Sequence, residues 1–183
     1  GQRMLTERQA MDLFDSYGIP VVKHGLARSF DECLEVVDKI GYPVVVKVSS
    51  PDVVHKTDVG GVYLNVSNAD ELKKAFEQVT TLPLKSVPDA SIEGALIERM
   101  VKAQFELSAG MGRDRQFGHV IMFGLGGVLI EVLRDVVMRI NPLSRQDALE
   151  MMGEIQAHTI LEGVRGMKPV DKDELVEIIL ALD

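Results

Sequence analysis

The sequence contains one cysteine, no tryptophan and few aromatic residues of any kind, at 5% of the chain. A single cysteine excludes an internal disulfide framework and a cysteine-rich zinc site, and it favours a reducing cytoplasm. This residue, Cys33, lies on the apolar face of a predicted helix, so we interpret it as a core side chain. The scarcity of aromatic residues disfavours a surface on which nucleic acid bases stack.

Long hydrophobic runs and positive charge are also scarce. No run of about 18 apolar residues is present, so no segment is predicted to span a membrane. The chain has 20 Lys and Arg against 28 Asp and Glu, which gives a formal net charge of −8. Binding to a nucleic acid backbone depends on clustered positive charge. We therefore expect neither a nucleic acid nor a membrane partner.

What remains is a globular composition, with 183 residues of which 46% are apolar and 26% charged. Thr6 and Gln9 fit a capping box at the start of the first helix. Helices and strands alternate at first, and strands then cluster in the second half. This order predicts an α+β fold of two lobes with a seam near residues 80–93. We predict helices over 6–17, 29–40, 68–79, 145–155 and 171–183, and strands over 21–23, 43–50, 62–66, 94–101, 104–111, 117–123, 128–133 and 136–140.

Lys47 is unusual because it interrupts the otherwise apolar strand predicted over 43–50. A lysine in such a strand is costly unless its ammonium group meets an anion or reaches water. It could belong to an edge strand and extend its charge to solvent. It could instead bind phosphate. Both interpretations remain open on the strand alone.

The polar loop over residues 51–61 follows this strand and ends in Gly60 and Gly61, which allow backbone N–H groups to approach an anion closely. Ser49 and Lys56 lie nearby in the sequence. His55, in the same loop, is either a solvated side chain or a group for proton transfer or nucleophilic attack, since neutral imidazole is a competent nucleophile near neutral pH. The loop does not have the Walker spacing.

Three further segments are less specific. Residues 96–101 could present backbone groups to an adenine edge or simply end an amphipathic strand. The glycine cluster at 124–127 could form a plain turn or approach a ligand closely. Glu131 and Asp135 could hold Mg²⁺ through oxygen ligands, or they could be exposed charges of a hairpin around Arg134 and Asp135. Gly112, Arg113 and Asp114 are predicted to form another turn.

Together these segments resemble the ATP-grasp domain of the ADP-forming acyl-CoA synthetases, a family that includes the β subunit of archaeal acetate–CoA ligase. The resemblance covers nearly the whole chain, and residues 42–62 are its most specific part. The stretches that carry it are Leu-Thr-Glu at 5–7, Tyr-Gly-Ile-Pro at 17–20, Tyr-Pro-Val-Val-Val-Lys-Val-Ser-Ser-Pro at 42–51, His-Lys-Thr-Asp-Val-Gly-Gly-Val at 55–62, Phe-Gly-x-Val-Ile-Met-Phe-Gly-Leu-Gly-Gly at 117–127 and Gly-Val-Arg-Gly at 163–166.

The resemblance implies an ATP-grasp fold, in which two α+β lobes clamp ATP or ADP with Mg²⁺. It implies a reaction of acyl-CoA, ADP and phosphate that gives carboxylic acid, CoA and ATP through an acyl phosphate and a phosphohistidine. The partner is a CoA-binding and ligase portion, either a separate α subunit or a fused upstream domain. By this resemblance His55 relays the phosphoryl group, and Asp58 is a candidate to orient its ring. The implied nucleotide-binding positions are Lys47, Ser49, Lys56, Gly60, Gly61, Glu98, Met100, Val101 and Glu106, with Glu98 to Val101 as the adenine hinge and Glu106 near the ribose.

Two departures from the family pattern concern His119, where the family has proline, and the end of the chain. Family members continue into two strands that carry the Asn and Asp expected to bind Mg²⁺, whereas this sequence stops at Asp183. Asn141 in Arg-Ile-Asn-Pro superficially mimics one of these motifs but lies too early, so the metal ligands are unknown. We therefore expect the chain to be truncated and inactive by itself, since phosphoryl transfer depends on Mg²⁺ to neutralise charge.

Two alternative functions remain. One is a succinyl-CoA synthetase-like β chain, against which the sequence His-Lys-Thr-Asp at 55–58 argues. The other is a regulatory ATP-grasp-like module attached to a protein acetyltransferase. The sequence does not identify the carboxylic acid, and it does not distinguish ADP from GDP.

Overall fold

The computed structural model describes residues 5–183, which form two compact units. The first unit extends through Ser16 and includes Pro20–Val101, and the second contains Tyr17–Ile19 and Lys102–Asp183. The α+β prediction is confirmed, because each unit combines one antiparallel sheet with helices. No helix in the described part of the chain is long and apolar enough to cross a membrane.

The first unit is built on a four-stranded sheet in the order β1-β4-β2-β3. Its helices begin at the predicted caps: Thr6 and Gln9 form the reciprocal hydrogen bonds of a capping box, and the Ser29 side chain accepts from the N–H of Glu32. The elements are α1 (Glu7–Ser16), β1 (His24–Ala27), α2 (Phe30–Ile40), β2 (Val44–Ser49), β3 (Val62–Val66), α3 (Ala69–Thr81), α4 (Pro83–Ser86) and β4 (Gly94–Arg99).

The core of this unit lies on one face of the sheet. Val44, Val46 and Val48 of β2 alternate toward it and are fully buried, together with Ala95 and Ile97 of β4. Residues of α2 and α3 complete the same cluster, including Cys33, which is buried as predicted. Burial raises the pKa of the Cys33 thiol to about 12, which makes it an inert core residue.

The second unit contains a three-stranded sheet in the order β5-β6-β7. Ile121 and Phe123 of its middle strand are fully buried with side chains from the last two long helices, such as Met151 and Ile179. The elements are β5 (Leu107–Asp114), β6 (Gly118–Leu125), α5 (Gly127–Leu133), β7 (Val136–Ile140), α6 (Arg145–Glu154), a 3₁₀ helix (His158–Glu162) and α7 (Lys172–Ala181).

Two predicted elements of the second unit are wrong. Residues 128–133 form helix α5 and not a strand, because β6 pairs directly with β7 and the intervening short apolar run closes its own backbone hydrogen bonds. Such a run cannot be assigned from periodicity alone. Residues 112–114 continue β5, and the turn follows them, where the Asp114 carboxylate accepts the N–H groups of Gln116 and Phe117.

The division between the units also lies later in the chain than the seam predicted near residues 80–93. It falls between Val101 and Lys102. The reason is that β4 pairs with β1 on one side and β2 on the other, which makes it a central strand of the first sheet. A division at residues 80–93 would separate β4 from β1 and β2, the strands with which it pairs.

We expect Ile97→Ala to destabilise the first unit by about 2–5 kcal/mol, because it leaves a cavity in a fully buried position. Urea unfolding followed by circular dichroism measures the change. The matched control is Leu64→Ala in β3, an aliphatic side chain that is 54% exposed. Equal losses for the two variants would contradict the placement of the core.

Candidate functional site

The face of the first sheet opposite its core carries Lys47. In the antiparallel pairing of β2 with β4, Val45 lies opposite Glu98 and Lys47 lies opposite Leu96. Lys47 and Glu98 are therefore diagonal neighbours on one face, which is within reach of long side chains. β2 has a paired strand on each side, so Lys47 is not on an edge strand.

Four charged side chains meet at this position, and we call Glu7, Lys47, Lys56 and Glu98 the charge cluster. Lys47 Nζ donates to Glu7 Oε1 at 2.6 Å and to Glu98 Oε2 at 2.8 Å. Lys56 Nζ donates to the other oxygen of Glu7, at 2.7 Å. One carboxylate thus bridges two ammonium groups, and the four formal charges sum to zero.

Burial and pairing oppose each other in the charge cluster. Burial by itself lowers the pKa of Lys47, but hydrogen bonds and charge from Glu7 and Glu98 outweigh it, so that this pKa is raised. Burial would raise the pKa of Glu7, but Lys47 and Lys56 hold it below its ordinary value of 4.5. Burial dominates at Glu98 and raises the pKa of that carboxyl group despite Lys47. Glu98 Oε1 is buried and has no hydrogen-bond partner among residues 5–183.

The loop between β2 and β3 is fixed by its two glycines. The N–H of Gly61 donates to the carbonyl of Lys56 at 2.7 Å, and the N–H of Gly60 donates to the carbonyl of Thr57 at 3.2 Å. Gly60 has φ +70°, and a Cβ on Gly61 would lie 2.6 Å from Val48 Cγ1. The expectation that these N–H groups are available to a phosphoryl group is wrong for this conformation, since both are used within the loop. The glycines instead position Lys56 and the residues before it.

His55 lies in this loop immediately before Lys56 and is exposed. Within residues 5–183 its ring makes no hydrogen bond or ion pair, and Asp58, also exposed, does not orient it. The structure therefore presents the imidazole to solvent next to a lysine of the charge cluster. This arrangement leaves a ring nitrogen free for an incoming group.

The other predicted positions are less closely associated with the charge cluster. The hydroxyl of Ser49 is buried and donates to Glu93 Oε2 at 2.9 Å. The N–H of Met100 donates to the carbonyl of Pro43 at 3.0 Å and is not available to adenine, whereas Val101 is exposed where the first unit ends. Glu106 belongs to the second unit, where its carbonyl accepts the N–H of Gly126, and its role stays a prediction.

The proposed metal position near Asp135 is not supported. Asp135 is buried, and its two carboxylate oxygens accept the N–H groups of Gln156 and Ala157 at 2.7 and 2.8 Å. It is thus neither a metal ligand nor an exposed hairpin charge, because it holds the backbone after α6. The side chain of Glu131 lies outside the described residues. The described part of the chain contains no group of three or more His, Cys, Asp or Glu residues that could hold a metal ion.

Glu7 is the member of the charge cluster that sequence analysis did not single out as a site residue. An acidic residue in the first turn of a helix is ordinarily explained by the helix dipole. Its position directly after the Thr6 cap was predictable, but its approach to two lysines 40 and 49 residues away depends on the tertiary fold.

Comparison with known proteins places these features in a family. The sequence matches the ATP-grasp domain over residues 1–183. The chain belongs to the ATP-grasp family. It is 49% identical over 94% of its length to ADP-forming acetate–CoA ligase I of Archaeoglobus fulgidus, and 44% identical over 97% to the β subunit of ADP-forming acetate–CoA ligase I of Pyrococcus furiosus. It spans 25% of the first relative and 77% of the second.

Solved structures of acetyl-coenzyme A synthetase 1 from Ca. Korarchaeum cryptofilum resemble this ATP-grasp domain. The complex with coenzyme A, Ca-AMPCP and HgCl⁺ has a TM-score of 0.93 and 44% identity, and the match covers 97% of this chain and 78% of that one. A complex with coenzyme A and Mg-AMPPCP, whose phosphohistidine segment points towards the nucleotide-binding site, has a TM-score of 0.83 and 38% identity, with 99% and 77% covered.

Removal of the cation at the centre of the charge cluster is expected to destabilise this ATP-grasp domain strongly. Lys47→Met leaves Glu98 buried without a cation, which costs about 3–5 kcal/mol when one partner of a buried pair is lost. The double variant Lys47→Met/Glu98→Leu should recover most of this loss, since an apolar replacement of both partners is often neutral. Urea unfolding measures the cycle, with the exposed Lys73→Met as control. Additive losses in the double variant would contradict the coupling.

The stabilisation by Glu7 should depend on pH. Its pKa is lower in the folded state than the ordinary 4.5, so its stabilisation is complete above that pH and is lost as pH falls through the lower folded value. The difference in unfolding free energy between the wild-type domain and Glu7→Gln should therefore shrink in acid. Parallel urea titrations from neutral pH into acid measure it, with the exposed Asp15→Asn on the same helix as control. A difference that is constant across this range would count against the pairing.

Proposed function

We propose that this domain is the nucleotide-binding component of an ADP-forming acyl-CoA synthetase, which passes a phosphoryl group between a phosphohistidine relay and ADP or ATP while acyl-CoA is converted to the free acid. The observation that carries the proposal is the exposed, unpaired His55 beside Lys56 of the charge cluster. The identity to ADP-forming acetate–CoA ligases supports the same assignment.

Lys47 and Lys56 are the cations that hold phosphate oxygens in this proposal. Their ammonium groups already coordinate the two oxygens of one carboxylate, which is the geometry required for two oxygens of a phosphoryl group. Charge-assisted hydrogen bonds of this kind are stronger than neutral ones. Val101 is the hinge position left exposed for the base, and Met100 is fixed to the strand before it through Pro43.

The role of His55 is covalent. When the phosphohistidine transfers its group, the N–P bond breaks, the electron pair stays on the ring nitrogen, and an oxygen of the terminal phosphate of ADP forms the new P–O bond of ATP. The other ring nitrogen keeps its proton, so the side chain returns as neutral imidazole. In the reverse direction the same nitrogen attacks the terminal phosphorus of ATP and ADP leaves. Exposure of the ring allows it to receive the group from a partner.

Mg²⁺ would neutralise phosphate charge in this reaction. Among the described residues no group of three or more His, Cys, Asp or Glu side chains could hold it.

The rest of the enzyme is a CoA-binding and ligase portion, which is either a separate α subunit or a fused upstream domain. Relatives of both arrangements support this, because the chain covers 25% of one relative and 77% of a β subunit. The proposed location of the enzyme is the cytoplasm. A succinate–CoA ligase β subunit matches only 69% of the chain, at 36% identity, so this alternative is less favoured. A regulatory module is disfavoured because these relatives are ligases.

His55 should become labelled when the chain, extended at its C-terminus with the corresponding segment of the Pyrococcus furiosus β subunit, is incubated with [γ-³²P]ATP and Mg²⁺. The expected product is an acid-labile phosphate on His55, located by mass spectrometry of peptides. His55→Ala should lose the label, whereas His119→Ala, which removes another exposed histidine, should keep it. Absence of the label in the extended chain, both by itself and with a relative's partner subunit added, or retention of the label in His55→Ala, would refute the relay.

A further inference from the structure

The charge cluster contains an anion supplied by the protein itself. Glu7 bridges Lys47 and Lys56 through separate oxygens, at 2.6 and 2.7 Å. A carboxylate and a phosphoryl group both present adjacent oxygens with partial negative charge, so both can satisfy two ammonium groups at this spacing. The two lysines thus form an oxyanion site whose present occupant is a side chain.

The two lysines differ in the acidic partners that they retain when the Glu7 carboxylate is displaced. Lys47 retains Glu98 Oε2 at 2.8 Å. For Lys56, Glu7 is the acidic partner in the described part of the chain, so its ammonium group would be left unpaired. The formal charge of the cluster changes from zero to +1. An external anion would restore neutrality.

The site is accessible to a solute. The side chains of Lys47, Lys56 and Glu7 are 21%, 19% and 29% exposed, so none is sealed in the interior. Glu98, at 8%, is the buried member, and its Oε2 holds Lys47 at 2.8 Å.

Helix α1, which carries Glu7, has little apolar packing against the rest of the first unit. None of the residues of α1 is buried, and Leu13 and Phe14 on it are 45% and 40% exposed. An element with few buried apolar contacts opens at low free energy. The ion pairs of Glu7 are accordingly a main attachment of the start of α1 to the sheet, and a competing anion can displace them without disrupting the core.

We infer that Glu7 is an internal competitor for a phosphoryl oxyanion site formed by Lys47 and Lys56, and that binding of a nucleotide phosphate displaces Glu7 and loosens α1. The inference rests on the proposed function for the identity of the ligand. Glu7 is a positioning residue here, since it acts through the two lysines and touches no substrate.

The test compares ADP, adenosine and pyrophosphate as ligands of the full chain by isothermal titration calorimetry. If Glu7 occupies the site about nine-tenths of the time, its removal tightens binding about tenfold, because the apparent dissociation constant is the intrinsic one divided by the competent fraction. Glu7→Gln should therefore bind ADP and pyrophosphate about tenfold more tightly, with adenosine unchanged. Asp15→Asn removes the same charge from the same helix and should change none of the three.

Amide hydrogen exchange provides the second measurement. Pyrophosphate or ADP should accelerate exchange in residues 10–16 of the wild-type chain, whereas a purely structural Glu7 predicts no change or slower exchange. Glu7→Asp retains the charge but is too short to bridge both lysines. Glu7→Asp should therefore also bind pyrophosphate more tightly than the wild-type chain. This variant provides the test if Glu7→Gln does not fold.

The outcomes separate this inference from the proposed function. Tighter pyrophosphate binding by Glu7→Gln with no binding of ADP by any variant supports the internal competitor and contradicts the nucleotide function. Binding of ADP that is unchanged or weakened in both Glu7 variants overturns the competitor alone. Failure of wild type and variants to bind ADP or pyrophosphate overturns both.

Discussion

The structure of the first unit depends on a lysine placed in the interior of a sheet. Lys47 has paired strands on both sides and its side chain is only 21% exposed, so its ammonium group is largely shielded from water and is stabilised by anions on its own face. β4 provides Glu98 at the diagonal position, and α1 provides Glu7. The packing of α1 against the sheet is in this sense set by charge, because the helix buries no residue of its own.

The loop after β2 provides the second cation that Glu7 binds, Lys56. Its glycine hydrogen bonds close the chain tightly enough for Lys56 to share Glu7 with Lys47. The same turn leaves His55, one residue earlier, exposed and without a partner among residues 5–183. Two adjacent residues therefore differ sharply: one is held by a fixed anion, and the other is presented to solvent with a free ring nitrogen.

Local signals in the sequence were sufficient for most elements of the fold. The Ser29 cap, the apolar strand around Val46 and the return strand at 62–66 were all predictable, because capping and period-two alternation act over a few residues. Helix α5 was not predictable in this way, because its segment is left out of the sheet by the direct pairing of β6 with β7. At the site, Lys47 and His55 were recognisable as unusual residues, but Glu7 was not. Its partners are 40 and 49 residues away, and only the fold brings them together.

A neutralised site has a consequence for selectivity in a protein whose net charge is −8. Without Glu7, the two lysines would attract small anions, and this binding would be opposed by Glu98 beside Lys47 and by distant charges whose effect salt weakens. With Glu7 bound to the two lysines, the free energy of anion binding is only the difference between the free energy of the anion's contacts and that of the carboxylate's contacts. A nucleotide whose base also contacts the protein, as proposed for the exposed Val101, would gain additional free energy that a bare phosphate lacks. The internal carboxylate thus weakens the binding of both ligands by the same factor, so a simple anion no longer occupies the site at concentrations at which a nucleotide with further contacts still binds.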